Sequence, residues 1–279
     1  MSLIGTYTFQ PMPEILPVTI NSLQEFIELI DSFHSNPENP IWYRGIGNEN
    51  VHKLLPSLYR HKGFSTFPEF FALERTILNR FKERSVPFLD NKVSDDWENL
   101  FLMQHFGVPT RLLDWSENPF VGLFFALTTQ QREKDPKPDA AIWALLPDAW
   151  NQWAFKHVTY RGGPLSVFNK LVAVYSPNPE NSDMPPANQA AILGIHNSPR
   201  IVAQRGVFTI SGSNIESIED TFAAIRSEDI REETLRKITI PASRVEDLLN
   251  RLTAIGYSES VIFPDLEGLA REIKRTYKF

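Results

Sequence analysis

The 279-residue chain contains no cysteine. That absence removes disulfides, thiolate metal sites and cysteine nucleophiles together, and it fits a reducing compartment such as the cytosol. No apolar run reaches the roughly 18 to 20 residues that a membrane span needs. The N-terminus MSLIGTYTFQPMPEILP lacks the basic start and apolar stretch of a secretory signal, so a cytoplasmic protein without membrane contact is expected. Long blocks of one charge are also missing: 28 Lys and Arg stand against 34 Asp and Glu, a formal charge of −6. This pattern argues against a general phosphate-backbone binder, although a local basic groove is compatible with it. Nor does the chain hold a Walker A loop, G-x-G-x-x-G, G-x-S-x-G or H-E-x-x-H. Its six histidines are never three or four residues apart, so no helix-borne metal pair is indicated.

What is present is enough apolar material, 42% of residues, for a substantial core. Ser22 to Phe33 has helical spacing, with Ser22 as N-cap and Glu25 as its capping-box partner. Asn36 to Pro40 reads as a turn, and IWYRG as a short strand broken by Gly45. Phe67 to Val86 and Asp95 to Phe106 are two further helices, the second stopped by Gly107 and Pro109. Ala140 to Leu146 has the composition of a fully buried strand, and the proline-rich Tyr175 to Asn188 that of a long loop. Ile201 to Ile210 reads as a strand interrupted at Gly206. Leu235 to Ile240 is a strand, followed by helices over Ala242 to Ala254 and Asp265 to Arg275. Without strict βαβ alternation, the expected class is α+β, one domain with a mixed or antiparallel sheet and flanking helices.

The most informative stretch is QHFGVPTRLLDWSENPFVGLFFAL, Gln104 to Leu127. Thr110 to Trp115 reads as a strand, Ser116 to Pro119 as a helix start with Pro near N1, and Phe120 to Thr129 as a helix apolar nearly all round. Arg111, Asp114, Glu117 and Asn118 therefore stand where a strand enters a buried helix. The free N–H groups of such a first turn make this a common place for an anion site. Each polar residue also has a local reading. Arg44, directly after Trp42 and Tyr43, needs either an ion-pair partner such as Asp114 or a bound phosphate or carboxylate. Arg111 is open in the same way. Asp114 caps the helix or pairs with Arg44 or Arg60; Asn118 and Glu117 suit a helix start, with Glu117 a reserve carboxylate. His105 is either a general base near neutral pH or, in a last helical turn, a residue suited to the helix dipole, and Gln104 is a packing or hydrogen-bonding residue. Gln204, a lone amide in an apolar segment, demands partners. Tyr59 and Arg60 stand close enough in sequence to flank the same site.

Three blocks carry a family resemblance: IWYRGIGN with LLPSLYR after it, the long central stretch, and RIVAQRGVFTI with the late VIFPDLEGLA. Together they resemble the FRG domain family, whose aromatic-Arg-Gly motif corresponds here to Tyr43, Arg44 and Gly45. The likeness suggests residues 1–40 as a lead-in and helix packed on a domain of residues 41–279. A second resemblance, in the order of elements, is to ADP-ribosyltransferases. It implies NAD as substrate, with Arg44 holding a phosphate or ribose; Tyr43, Arg60 and Arg111 join the cofactor-binding candidates from their place in the same expected cleft, not from the resemblance. Ser116 or Thr110 would fill the hydroxyl position of the second strand, and Gln204 would stand where those enzymes carry a glutamate. That departure matters, because cleaving the nicotinamide–ribose bond develops positive charge that a carboxylate stabilises and an amide does not. Asp114 or Glu117 would then have to supply it. The resemblance further suggests a protein or nucleic-acid acceptor and a toxin or phage-defence setting. Two alternatives stay open: a non-catalytic module for a nucleotide or nucleic acid, and a glycosidic or phosphoester hydrolase using Asp114 and Glu117 as an acid/base pair.

Overall fold

The computed structural model describes residues 13–34, 39–89, 93–160, 162–178, 184–195 and 198–279. Among them the elements follow in the order β1 (Val18–Thr19), α1 (Leu23–Phe33), β2 (Trp42–Ile46), α2 (Phe67–Ser85), α3 (Asp96–His105), β3 (Leu112–Ser116) and α4 (Pro119–Gln130). Next come β4 (Ala140–Leu145), α5 (Pro147–Ala154), β5 (Leu165–Ser166), α6 (Lys170–Ala173), β6 (Ala190–Leu193), α7 (Pro199–Ala203) and β7 (Gly206–Ile210). The chain ends with α8 (Ile218–Ala223), β8 (Leu235–Ile240), α9 (Val245–Ala254), α10 (Glu259–Ile262) and α11 (Leu266–Thr276). The eight strands form one mixed sheet in the order β1-β8-β4-β2-β3-β7-β6-β5, so the α+β class expected from the sequence is what the chain adopts. None of the described helices is long and apolar enough to cross a membrane.

Local chemistry sets the helix starts, although at α1 the Glu25 carboxylate takes the Asn21 N–H at 2.8 Å instead of that of Ser22, so the expected capping box is one-sided. Ser22 accepts the Glu25 N–H at 3.1 Å. Thr66 and Glu69 close a reciprocal capping box on α2, and Asp95 caps α3 through the Glu98 N–H. Each such cap contributes about 1 kcal/mol. The lead-in through Met12 and most of the Asn36–Pro40 turn lie outside the described residues.

Two expectations are corrected. Ile201–Ile210 is not one strand: Ser198 caps a short helix, α7, and β7 begins only at Gly206. Arg205 turns the chain between them with φ 45°, a left-handed conformation rare for a side chain of this size. The signal that could have found α7 is Ser198-Pro199, an N-cap followed by proline at N1. Gly45 does not break β2, which runs through to Ile46. A Cβ there would fall on the Gly122 carbonyl oxygen and the Ala126 nitrogen of α4, so the glycine lets the apolar helix lie directly against the strand.

Both faces of the sheet are covered. On one, Tyr43, Ile142 and Ile238 pack against Val121, Phe124 and Leu127 of α4, with α1 and α9 outside. On the other, Trp42, Trp115 and Trp143 meet Trp150 of α5 and Phe222 of α8. A third cluster joins Phe208 and Ile192 to Phe101 of α3.

Candidate functional site

The centre of the sheet is its weakest main-chain joint. β2 forms five residue pairs with β4, and β3 five with β7, but β2 and β3 pair only at Tyr43 opposite Ser116. Strand alternation puts Arg44 on the same face as Trp42 and Ile46, which are buried among the tryptophans. Its guanidinium turns into the seam: Nη1 donates to the Asp114 carbonyl at 2.7 Å and stands 3.9 Å from Asp114 Oδ2. Its Nε is buried with no hydrogen-bond partner among the described residues, while 22% of the side chain remains exposed. Burial pulls the Arg44 pKa down, Asp114 works against that, Arg60 lowers it further and Glu219 raises it. Glu219 takes the Leu54 N–H on both carboxylate oxygens at 3.1 Å, and its own pKa is raised by burial.

Asp114 is the exposed carboxylate of this cluster, its side chain 57% accessible. It is aimed by a relay: Thr110 Oγ1 donates to Gln104 Oε1 at 2.5 Å, and Gln104 Nε2 donates to Asp114 Oδ2 at 2.6 Å. Gln104 is thus a positioning residue rather than simple packing. The central stretch thereby folds back on itself, with the end of α3 holding the side chain of β3.

The family model for the FRG domain matches residues 39–135. The chain carries an FRG domain. Its matched span holds the aromatic-Arg-Gly triplet, Arg60, the Thr110–Gln104–Asp114 relay and all of α4. No curated protein and no solved structure matches the chain.

Within the FRG domain the other expected site residues are distributed differently. Arg111 is fully buried: Nε donates to Glu74 Oε2 at 2.7 Å, Nη1 to Ser211 O at 2.9 Å and Nη2 to Tyr175 O at 2.7 Å. Of its two readings, the ion pair is the one the geometry satisfies. Burial alone would lower the Arg111 pKa; Glu74, Tyr59 and Tyr175 more than offset it, and the net shift is upward. Tyr59 is buried and donates to Gly212 O at 2.8 Å, whereas Arg60 is exposed and extends the positive field around Arg44. Tyr43 is buried under α4, its hydroxyl 3.0 Å from His34 Nε2. Glu117 is exposed, and its N–H donates to Arg205 O at 3.1 Å.

Gln204 lies outside the matched span and forms the C-cap of α7. Ser116 Oγ donates to its carbonyl at 2.6 Å and accepts the Asn118 N–H at 2.9 Å. The Gln204 side-chain amide donates to Ile262 O at 3.1 Å. No contact joins Gln204 to Arg44 among the described residues. Both residues border β3, but each is engaged by partners of its own. A shallow hollow lined by Asn21, Ser22, Arg244 and Arg251 at the start of α1 contains none of these residues.

His105, next to the relay, has Nδ1 3.2 Å from Ser198 Oγ. Burial lowers its pKa from the ordinary 6.5, Arg200 lowers it further, and Asp265 and Asp114 partly compensate. The folded state therefore favours neutral imidazole. As pH falls below 6.5, the unfolded chain takes up this proton first, and stability declines down to the depressed folded pKa. An NMR titration of the native protein is expected to give a His105 midpoint below 6.5. A midpoint at or above that value would show the ring to be solvated or paired instead.

Proposed function

We propose that the seam at Arg44 binds an anionic oxygen of a nucleotide, NAD being the ligand that the resemblance to ADP-ribosyltransferases implies. One observation supports this reading above others: the Arg44 Nε is desolvated and lacks an acceptor, while the side chain keeps 22% exposure. Leaving a charged donor unpaired costs about 1–3 kcal/mol or more, and a phosphate or ribose oxygen on the exposed part of the guanidinium would offset part of that desolvation. Arg60 adds a second positive charge beside it.

On this proposal the activity is ADP-ribosyl transfer or NAD glycohydrolysis, with Asp114 as the carboxylate. The C1′–nitrogen bond breaks, its electron pair leaves with nicotinamide, and an acceptor hydroxyl or water attacks C1′ and loses its proton. Asp114 would face the positive charge on the sugar. A second reading, nucleotide binding without turnover, is favoured by Gln204, an amide already committed to Ile262 O.

Calorimetry with NAD and an assay of nicotinamide release separate the readings. Arg44→Lys is expected to weaken NAD binding at least about tenfold, because a lysine lacks the planar fork. Asp114→Asn is expected to keep binding and lose turnover. Binding without any nicotinamide release selects the second reading, and the absence of binding removes both.

A further inference from the structure

Phe263, which follows α10, is 6% exposed, its ring tilted against Phe124 and perpendicular to Phe125. Two guanidinium groups lie against this one ring, Arg200 Cζ 4.3 Å and Arg271 Cζ 5.0 Å from its centroid. Arg271 retains Glu267 as a partner. Arg200 forms no ion pair among the described residues, although it is half-buried. Burial and the charge of Arg271 both lower its pKa, with Asp265, Asp114 and Glu267 opposing. Stacking on an aromatic ring compensates a guanidinium in part, but it does nothing for the repulsion between two cations sharing that ring. An anion between them would.

The contacts of α7 bring this pair towards Asp114. Gln104 and His105 are adjacent at the end of α3: the first holds Asp114, and the second meets Ser198, the cap of the helix that bears Arg200. At the other end of α7, the Gln204 carbonyl is tied to Ser116 of β3. Arg44 and Arg200 thus share Asp114 as a neighbouring charge.

We propose that Arg200 and Arg271, laid on Phe263, form a second anion subsite that takes a phosphate of a diphosphate-bridged nucleotide whose remainder reaches Arg44. This deepens the nucleotide reading above and rests on it for the identity of the ligand. A mononucleotide would fill one subsite only, whereas a dinucleotide such as NAD or free pyrophosphate presents two linked phosphates. Bidentate guanidinium–phosphate contacts provide the recognition.

The test is calorimetric titration of the full chain with inorganic pyrophosphate and, separately, with NAD. It compares the wild type with Arg200→Gln, Arg271→Gln and Arg44→Lys, each first shown to be folded by its thermal transition. The glutamine variants keep a shorter, neutral polar side chain and lose the guanidinium with its charge and planar fork. Each is expected to weaken pyrophosphate binding at least about tenfold, the scale of one lost charge-assisted contact. Unchanged pyrophosphate affinity in both glutamine variants, or no pyrophosphate binding by the wild type, overturns the subsite even if NAD still binds through Arg44. Weakened pyrophosphate binding in those variants, with NAD affinity unchanged in Arg44→Lys, keeps the subsite and removes the reading of the Arg44 seam.

Discussion

Replacing Arg111 by alanine is expected to destabilise the protein by about 3–5 kcal/mol, because it strands the Glu74 carboxylate in a site closed to bulk solvent. Both side chains are 0% exposed. The guanidinium also satisfies the carbonyls of Ser211 and Tyr175, segments distant in the chain, and lies 5.3 Å from the Phe71 ring centroid and 5.8 Å from that of Phe67. One side chain therefore ties α2 to the ends of β3 and β7 and to the segment after α6. Chemical denaturation followed by circular dichroism checks the effect. The double replacement Arg111→Met with Glu74→Leu is expected to regain much of the loss, since no charge is then left unpaired, though the two carbonyls still lack donors and the backbone N–H of residue 111 loses Glu74 Oε1 as acceptor. A single-variant change below about 1 kcal/mol would show that the pair is solvated or dispensable.

The second large effect is expected from Gly45→Ala. Overpacking a core costs typically 1–3 kcal/mol when side chains can move aside. Here the added methyl meets backbone, the Gly122 carbonyl and the Ala126 amide, and neither can rotate away. A loss of more than about 3 kcal/mol, or failure to accumulate folded protein, is expected on that ground. Gly122→Ala is the milder control, since its Cβ would face the Tyr43 Cβ at 2.9 Å and the Ile142 side chain at 3.6 Å. Thermal unfolding of the two variants should rank them in that order, and equal transition temperatures would contradict the close packing of α4 on β2. The glycine of the aromatic-Arg-Gly triplet is thus a packing requirement.

Much of the fold was legible because its long elements carry strong periodicity or composition. Helices α1 to α4, α9 and α11 and strands β2, β4 and β8 stand close to where apolar spacing, caps and glycine or proline stops put them. The missed elements are short ones, such as β5, β6, α6 and α8, too brief for periodicity to register. Ile201–Ile210 was misread because an apolar run does not distinguish a buried strand from a turn of helix joined to one. Gly45 was misread because the need for a missing Cβ arises from α4, far along the chain. At the site, the association of Arg44 with Asp114 was foreseen as a local pair, and the relay through Gln104 was not. That hydrogen bond depends on the return of β3 past the end of α3, a tertiary fact that sequence spacing does not encode. Glu74 was invisible for the same reason: on a helix with charged residues at many positions, nothing marks the one acidic residue that is buried.

The single residue pair joining β2 to β3 gives Arg44 a second occupation. Its side chain is a stitch between two half-sheets, supplementing main-chain pairing that is nearly absent there. Any molecule gripping that guanidinium would also touch the rivet of the scaffold, so occupancy and mechanical cohesion are linked at one atom group. For the same reason Arg44→Lys, which keeps a cation in the gap, is a cleaner probe of ligand contact than a truncation that would loosen both halves at once.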